Sequence, residues 1–335
     1  MKKRVLSNIT FFLLVLAMLG GCHRRPLEDP DYRTLVKVKV DVSEVKNVTC
    51  DIYNDKIPVQ KIEPEAMHLL LFDENAEKVA AETYITDVTI ESDGNRLISG
   101  EVLIAPGTYR LLAYDFNTDG TYVRNYNVWS EAEAYTEAAP KGIQNAFRSK
   151  SGEPLNILSE PDHLVVSSVG RETIPYHEGV YTIYAQASTV VESWYLQIKV
   201  DGLEYVTSAQ AVLSGMVGSN LIATNTRVTD PEESIWFKLQ KSDDKGTPVI
   251  CTVFNTFGHI DQSVNNLEVT FNIFTTDGKT VVKTFDISDL FKTENAVNHH
   301  WLLLEETIKI DPPPISGGFD PKVDDWEEEH HDVTI

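Results

Sequence analysis

The chain has 335 residues, with 29 Lys and Arg against 51 Asp and Glu, a formal net charge of −22 at pH 7. That length holds two domains of ordinary size, each with a core of its own. So acidic a surface argues against nucleic acid or anionic headgroups as partners, and beyond the first residues no apolar run reaches the roughly 20 residues of a membrane-crossing helix.

The first element in chain order is a signal. Lys2, Lys3 and Arg4 precede an apolar run from Val5 to Leu19, which is followed by Gly20, Gly21 and Cys22. A basic start and a short apolar stretch ending at small residues is the pattern of a secretory signal peptide. Leu-Gly-Gly-Cys matches the bacterial lipobox, in which cleavage falls between Gly21 and Cys22 and the cysteine carries the lipid. The plainer alternative is an ordinary signal peptide with an incidental cysteine. A buried methylene contributes about 0.8 kcal/mol and one acyl chain is marginal, so two or more chains on Cys22, palmitate among them, would hold the protein to a membrane. With residues 1–21 removed, 26 basic residues face 51 acidic ones, a balance of −25.

Residues 22–34 read as a tether, with the charged, proline-containing stretch RRPLEDPDY at its centre. The pattern then changes. In LVKVKVDV, Val36, Val38, Val40 and Val42 share one face and Lys37, Lys39 and Asp41 the other, the period of a half-buried strand. The same period recurs in Trp194, Leu196, Ile198 and Val200, in Ile235, Phe237 and Leu239, and in Leu267, Val269, Phe271 and Ile273. Asp-Gly pairs at 93–94, 119–120, 201–202 and 277–278 suit tight hairpin turns. Short alternating strands joined by such turns predict an all-β protein of two tandem antiparallel sandwiches with few short helices. SEAEAYTEAA at 130–139, stopped by Pro140, and ISDLFKTENA at 287–296 are the helical candidates. The expected division places one sandwich at 35–163 and the second at 164–311. Pro312, Pro313 and Pro314 then open a hinge and an acidic tail, 312–335.

Few motifs carry chemistry. DFNTDG at 115–120 spells the first half of a calcium loop, but Tyr126 stands where the twelfth-position Glu belongs, so a hairpin turn is expected. EEEHHD at 327–332 lacks the spacing of a preorganised metal site and reads as solvated. No nucleophile elbow, phosphate loop or H-E-x-x-H helix is present, and His23, His68, His163, His177 and His259 are dispersed. No catalytic residue, metal or cofactor is expected. Cys50 and Cys251, assigned to different domains, are expected as buried, unreacted thiols.

A lipobox, two β-domains of this size, APGTYRLLAYDF in the first and ESWYLQIKVDGLEYVTSAQAVLSGM in the second resemble the fimbrillin-like lipoproteins of Bacteroidetes, particularly the anchor subunits of type V pili. The resemblance implies transthyretin-like sandwiches and a non-enzymatic role in holding or ending a fibre. The implied partners are the outer membrane, through the Cys22 lipid, and pilus subunits. His23, Arg24 and Arg25 depart from the acidic residues that often follow the cysteine in surface-exported members, which bears on exposure at the cell surface. Pilus subunits of this kind join by donated strands. In the tail, Phe319, Val323, Trp326, Val333 and Ile335 are then candidate partner-binding residues, the alternative being a disordered acidic end. A second reading of the whole chain is a lipoprotein binding a glycan or small ligand through Tyr122, Tyr126 and Trp129. A hydrolase would require a cleft of convergent carboxylates with perturbed pKa values.

Overall fold

A computed structural model describes residues 32–43, 45, 50–58, 60, 62–147, 155–260 and 267–314. The alternation in TLVKVKVD forms the first strand, β1 (Thr34–Asp41), with Val36, Val38 and Val40 fully buried. There follow β2 (Met67–Asp73), β3 (Val79–Ile85), β4 (Asp87–Ile90), β5 (Arg96–Ile104), β6 (Gly107–Asp115), β7 (Tyr122–Arg124) and β8 (Glu133–Tyr135). A short helix, α1 (Lys141–Ala146), leads to β9 (Ile157–Ser159), β10 (Val165–Ile174), β11 (Val180–Gln186) and β12 (Ser188–Thr189). Next come β13 (Glu192–Asp201), β14 (Val206–Met216), β15 (Ser219–Leu221), β16 (Thr226–Val228), β17 (Glu233–Asp244) and β18 (Thr247–Thr256). The series closes with β19 (Glu268–Thr275), β20 (Thr280–Asp286), a second helix α2 (Glu294–His299) and β21 (Trp301–Lys309). The fold is all-β with few short helices, as the alternation predicts.

Two sheets, β11-β1-β5-β4 and β12-β10-β6-β2-β3, enclose a core that includes Val36, Val38, Ile98, Leu69, Leu71 and Leu111. A third, β16-β15-β8-β7, covers the opposite face of the second sheet, where Ala132, Ala134, Val217 and Ile222 pack on Leu70, Phe72 and Leu112. Covered on both faces, β2 is a continuous buried run, MHLLLF, with no alternation to read. The remaining strands form one sheet ordered β20-β19-β14-β17-β18-β13-β21. Along β17, Glu233–Leu239 pair with β14 and Gln240–Asp244 with β18, so the sheet folds about this strand into two leaves. Between them lie Trp194, Leu196, Ile198, Phe237, Phe254 and Phe271.

The pairing is not wholly antiparallel. β1 runs parallel to β11, β9 to β17 and β13 to β21. These contacts also cross the expected division at residue 163. β9, before it, joins β17 of the sheet that folds into two leaves, whereas β10, β11 and β12, after it, belong to the first two sheets. Later still, β15 pairs with β8 of the third sheet and β16 with β15, so no single cut separates the sheets, and partners of long sequence separation leave no local signal at Pro154 or Pro161.

Several local expectations are corrected. SEAEAYTEAA is not a helix: a 3-10 turn at Trp129–Glu131 runs into β8, where Ala134 is buried and Glu133 and Tyr135 face outward, and Pro140 precedes α1 instead of stopping a helix. In the second candidate, Leu290–Lys292 make a 3-10 turn and α2 is capped by Thr293, whose hydroxyl accepts from Ala296 N (3.3 Å). Asp-Gly makes hairpins at β4–β5 and β19–β20. The pair at 119–120 lies instead in a loop between β6 and β7, which do not pair, and the one at 201–202 connects β13 to β14, which are not neighbours.

The loop between β1 and β2 provides a contact no motif announced. Its residues Cys50 to Ile57 lie as a strap across the β18-β13-β21 leaf, burying Cys50 and Ile57 with Tyr195, Val249 and Cys251. Tyr53 stacks on Tyr195 at 5.0 Å and donates to Asp244 Oδ2 (2.9 Å). Asn54 bonds Ser242 and Asp243, Lys56 pairs with Asp243, and Trp301 Nε1 donates to Asp51 O (2.8 Å). Cys50 and Cys251, expected in different domains, therefore share one cluster, and both are free thiols.

Candidate functional site

The expected cleavage and lipid-attachment residues, Gly21 and Cys22, and the candidate partner-binding residues Phe319, Val323, Trp326, Val333 and Ile335 lie outside the described residues. The strands nearest to them are described. Tyr32 stacks on Tyr176 at 4.6 Å, and Thr34 Oγ1 donates to Pro175 O (2.7 Å) while accepting from His177 N (3.1 Å). β1 is then hydrogen-bonded on both sides, by β5 and β11. At the other end β21 is, among the described residues, an edge strand paired with β13 alone. Its register shifts between Gln197 and Lys199, opposite the exposed Glu305 and Glu306. Ile310 N donates to Asp201 O (2.9 Å), and Pro312, Pro313 and Pro314 follow without regular structure. Edges with exposed apolar residues also occur at β4, with Ile90, and at β20, with Val282.

The loop at 116–121 is held by its own backbone. Asp162 Oδ2 accepts from Asp119 N (2.9 Å) and Gly120 N (2.7 Å), and Asp115 Oδ1 accepts from Asn117 N (3.0 Å). Burial raises the pKa of Asp115, which lines a cavity of about 250 Å³ with Glu63, Asp119 and Asp162. Next to it a polar chain runs through the interior. His163 Nε2 lies 2.6 Å from Ser193 Oγ, which donates to Asn255 Oδ1 (2.8 Å); Asn255 N in turn donates to Glu160 Oε2 (3.2 Å). Ser193 is fully buried with its proton given to Asn255, so this pair offers no nucleophile to a substrate. Burial pushes Glu160 up to about 7 and His163 down to about 4. Among the described residues no group of His, Cys, Asp and Glu is placed to hold a metal ion, and no helix is long and apolar enough to cross a membrane.

The three aromatics of the glycan reading are not brought together as one platform. Trp129 is buried against Phe72, with the Arg110 guanidinium over its ring. Tyr122 lies on Tyr135, and Tyr126 instead meets His68. His68 is also stacked on Tyr84, which touches Phe116, so the exposed rings at this place are Tyr84, Phe116 and Tyr126. Tyr84 and Phe116 carried no sequence signal, since their strand and loop positions are set by long-range pairing.

A family model described as a domain of unknown function, DUF5119, matches residues 22–238. A candidate fimbrium anchoring subunit, Fim4B, from Bacteroides ovatus is 24% identical over 239 residues, 70% of this chain. The chain spans 62% of that relative's length. A solved structure of a candidate adhesin from Bacteroides ovatus superposes with a TM-score of 0.60 at 20% identity, covering 88% of this chain and 98% of that one, which shows a shared fold. A further likeness, to the fimbrial anchor protein Mfa2 from Porphyromonas gingivalis, has a TM-score of 0.45 at 12% identity over 78% of this chain and 85% of the other. The resemblance to fimbrial anchor proteins of Bacteroidetes, read from the lipobox and the strand-turn segments, is met by the Fim4B relative.

Proposed function

This chain belongs to the DUF5119 family, and we propose that it is a non-enzymatic structural protein, anchored to the outer membrane by lipid on Cys22, that holds or assembles a fimbria through strand pairing. The observation that carries this reading is the likeness, over 70% of the chain, to a relative named as a candidate fimbrium anchoring subunit. The lipobox supports the anchor. The tail supports the partner role, since it leaves from an edge strand and carries Phe319, Val323, Trp326, Val333 and Ile335, enough apolar side chains to fill pockets along a neighbouring sheet edge. Trp326 is the anchoring ring in this arrangement.

The test labels cells with a fatty acid and purifies the detergent-solubilised protein. Label in the wild type, none in Cys22→Ala, and fimbrial subunits in the purified fraction are expected. Label persisting in Cys22→Ala would overturn the anchor, and a protein purified without fimbrial subunits would overturn the partner role.

A further inference from the structure

The linker from β12 into β13 and the hairpin of β15 and β16 face each other across a cleft of about 540 Å³. Its volume lies within the range of small-ligand sites, about 300–1,000 Å³. Val190, 6% exposed, gives it an apolar spot, Val191 is fully buried, and Thr189 stands beside them. Asn225 and Thr226, both exposed, stand on the hairpin side. Glu192 and Arg227 are ion-paired with each other across the cleft, and Trp194 Nε1 donates to the second Glu192 oxygen (3.3 Å).

Asn220 lies in the wall. It is 1% exposed, its amide nitrogen donates to Asn225 Oδ1 (3.0 Å), and its own Oδ1 has no hydrogen-bond partner. A buried acceptor without a donor is uncommon and destabilising, so a ligand N–H or O–H arriving there gains from ending that state.

We propose that this cleft binds a neutral saccharide. The two charges in the site satisfy each other and leave no net charge for an ionic ligand to meet. What remains is a set of side-chain amides and hydroxyls around an apolar spot, which matches ring hydroxyls above a face of C–H groups. An extended peptide is disfavoured because the adjoining strand edges, β12 and β16, are two and three residues long, too short for main-chain pairing to hold one. The inference is independent of the fimbrial reading, and either stands if the other fails.

The test uses the detergent-solubilised full chain on a printed array of neutral di- to tetrasaccharides of glucose, galactose, mannose and xylose, with sialylated and sulfated glycans and short peptides as further arms. Calorimetry follows with the best neutral binder. Binding of a neutral saccharide is expected, weakened at least tenfold by Asn225→Gly, which keeps the left-handed backbone at that position, and by Arg227→Gln. Thr226→Val serves as a third variant if either of these unfolds, judged by melting temperature. Tyr126→Ala, in the separate aromatic group, should bind as the wild type does. Absence of any neutral binder, binding confined to charged glycans or peptides, or affinity lost in Tyr126→Ala and kept in the cleft variants would overturn the proposal.

Discussion

Gly202 approaches Ile310 so closely that a Cβ on it would sit 2.2 Å from the Ile310 carbonyl oxygen. The glycine opens the turn after β13 at φ +83°, and Ile310 follows β21, so this contact fixes the edge strand from which the tail departs. Gly202→Ala has two costs, the left-handed backbone, about 1–2 kcal/mol, and a clash with main chain that no rotamer relieves. Gly246, in the β17–β18 turn at φ +87°, has nothing within 4 Å of the same position. Urea unfolding should show Gly202→Ala to be clearly the more damaging of the two, and equal losses would mean that the end of β21 is not held there.

The strap across β13 makes a second comparison possible. Leu196 faces the core between the two leaves, and Tyr195 faces the strap. Leu196→Ala should cost about 2–5 kcal/mol and Tyr195→Ala about 3–5, whereas the exposed Lys199→Ala should stay within about 0.5. A Tyr195→Ala loss no larger than that of Lys199→Ala would show the strap to be undocked in solution.

Those residues also mark what the sequence makes legible. Val36 to Val42 and Leu267 to Ile273 were readable because one face of each strand is buried and apolar while the other is polar, half-buried at Lys37, Lys39, Glu268 and Thr270, and alternation is the imprint of that asymmetry. Trp194, Leu196 and Ile198 read the same way, but Tyr195 and Gln197 are buried as well, since the strap covers what looked like the wet face. In β2 both faces are covered and the period vanishes. Ala132 and Ala134 read as helix by propensity, yet Ala134 is a strand residue of the third sheet and both pack in its contact with Leu70, Phe72 and Leu112. The boundary at 163 failed for a topological reason: β1 takes β11 as its parallel partner across more than a hundred residues, and nothing local to Val180 announces it. The site residues divide likewise, with the lipobox legible as a linear motif and the saccharide cleft assembled from two segments that are apart in sequence.

The interior polar chain gives a pH dependence with a defined sign. Glu160 has a folded pKa near 7 against an ordinary 4.5, so its contribution is fully present below about 4.5 and is lost as pH rises toward 7. His163, lowered from 6.5 to about 4, acts oppositely, its contribution being lost as pH falls through that window. Glu160→Gln keeps an acceptor for Asn255 N and removes the titration. Its stability relative to the wild type should therefore rise between about pH 4.5 and pH 8 in urea melts. Parallel curves for the two proteins would show that Glu160 is solvated in the fold.

Burial pushes the Cys50 thiol up to about 12 and raises that of Cys251, so both should resist alkylation in the native state. Iodoacetamide at about pH 8, followed by mass spectrometry, should label neither until the protein is unfolded. Tyr53→Ala removes the ring that stacks on Tyr195 and the hydroxyl bond to Asp244, and should open the strap locally. Both thiols should then become labelled at denaturant concentrations below the global transition. Rapid labelling of the native wild type, or a disulfide between the two, would contradict the enclosed cluster.

The last prediction separates the tail from the body. Among the described residues β21 is paired on one side only, and Gly202 and Asp201 hold the strand's end. A chain ended after Gly318 should accordingly fold, melt within a few degrees of the full chain and still take lipid at Cys22. If the apolar side chains from Phe319 to Ile335 fill pockets along a neighbouring subunit, that same truncation should lose the co-purifying fimbrial proteins, because main-chain pairing and the Trp326 anchor leave together. Trp326→Ala in the full chain should reproduce a large part of the loss, which distinguishes a seated strand from a tail that attracts partners by charge alone. High salt should weaken a charge-held complex and leave a strand-held one in place. Full recovery of partners with the truncated chain would move the contact to the exposed edges of β4 or β20, where Ile90 and Val282 are the side chains to replace next.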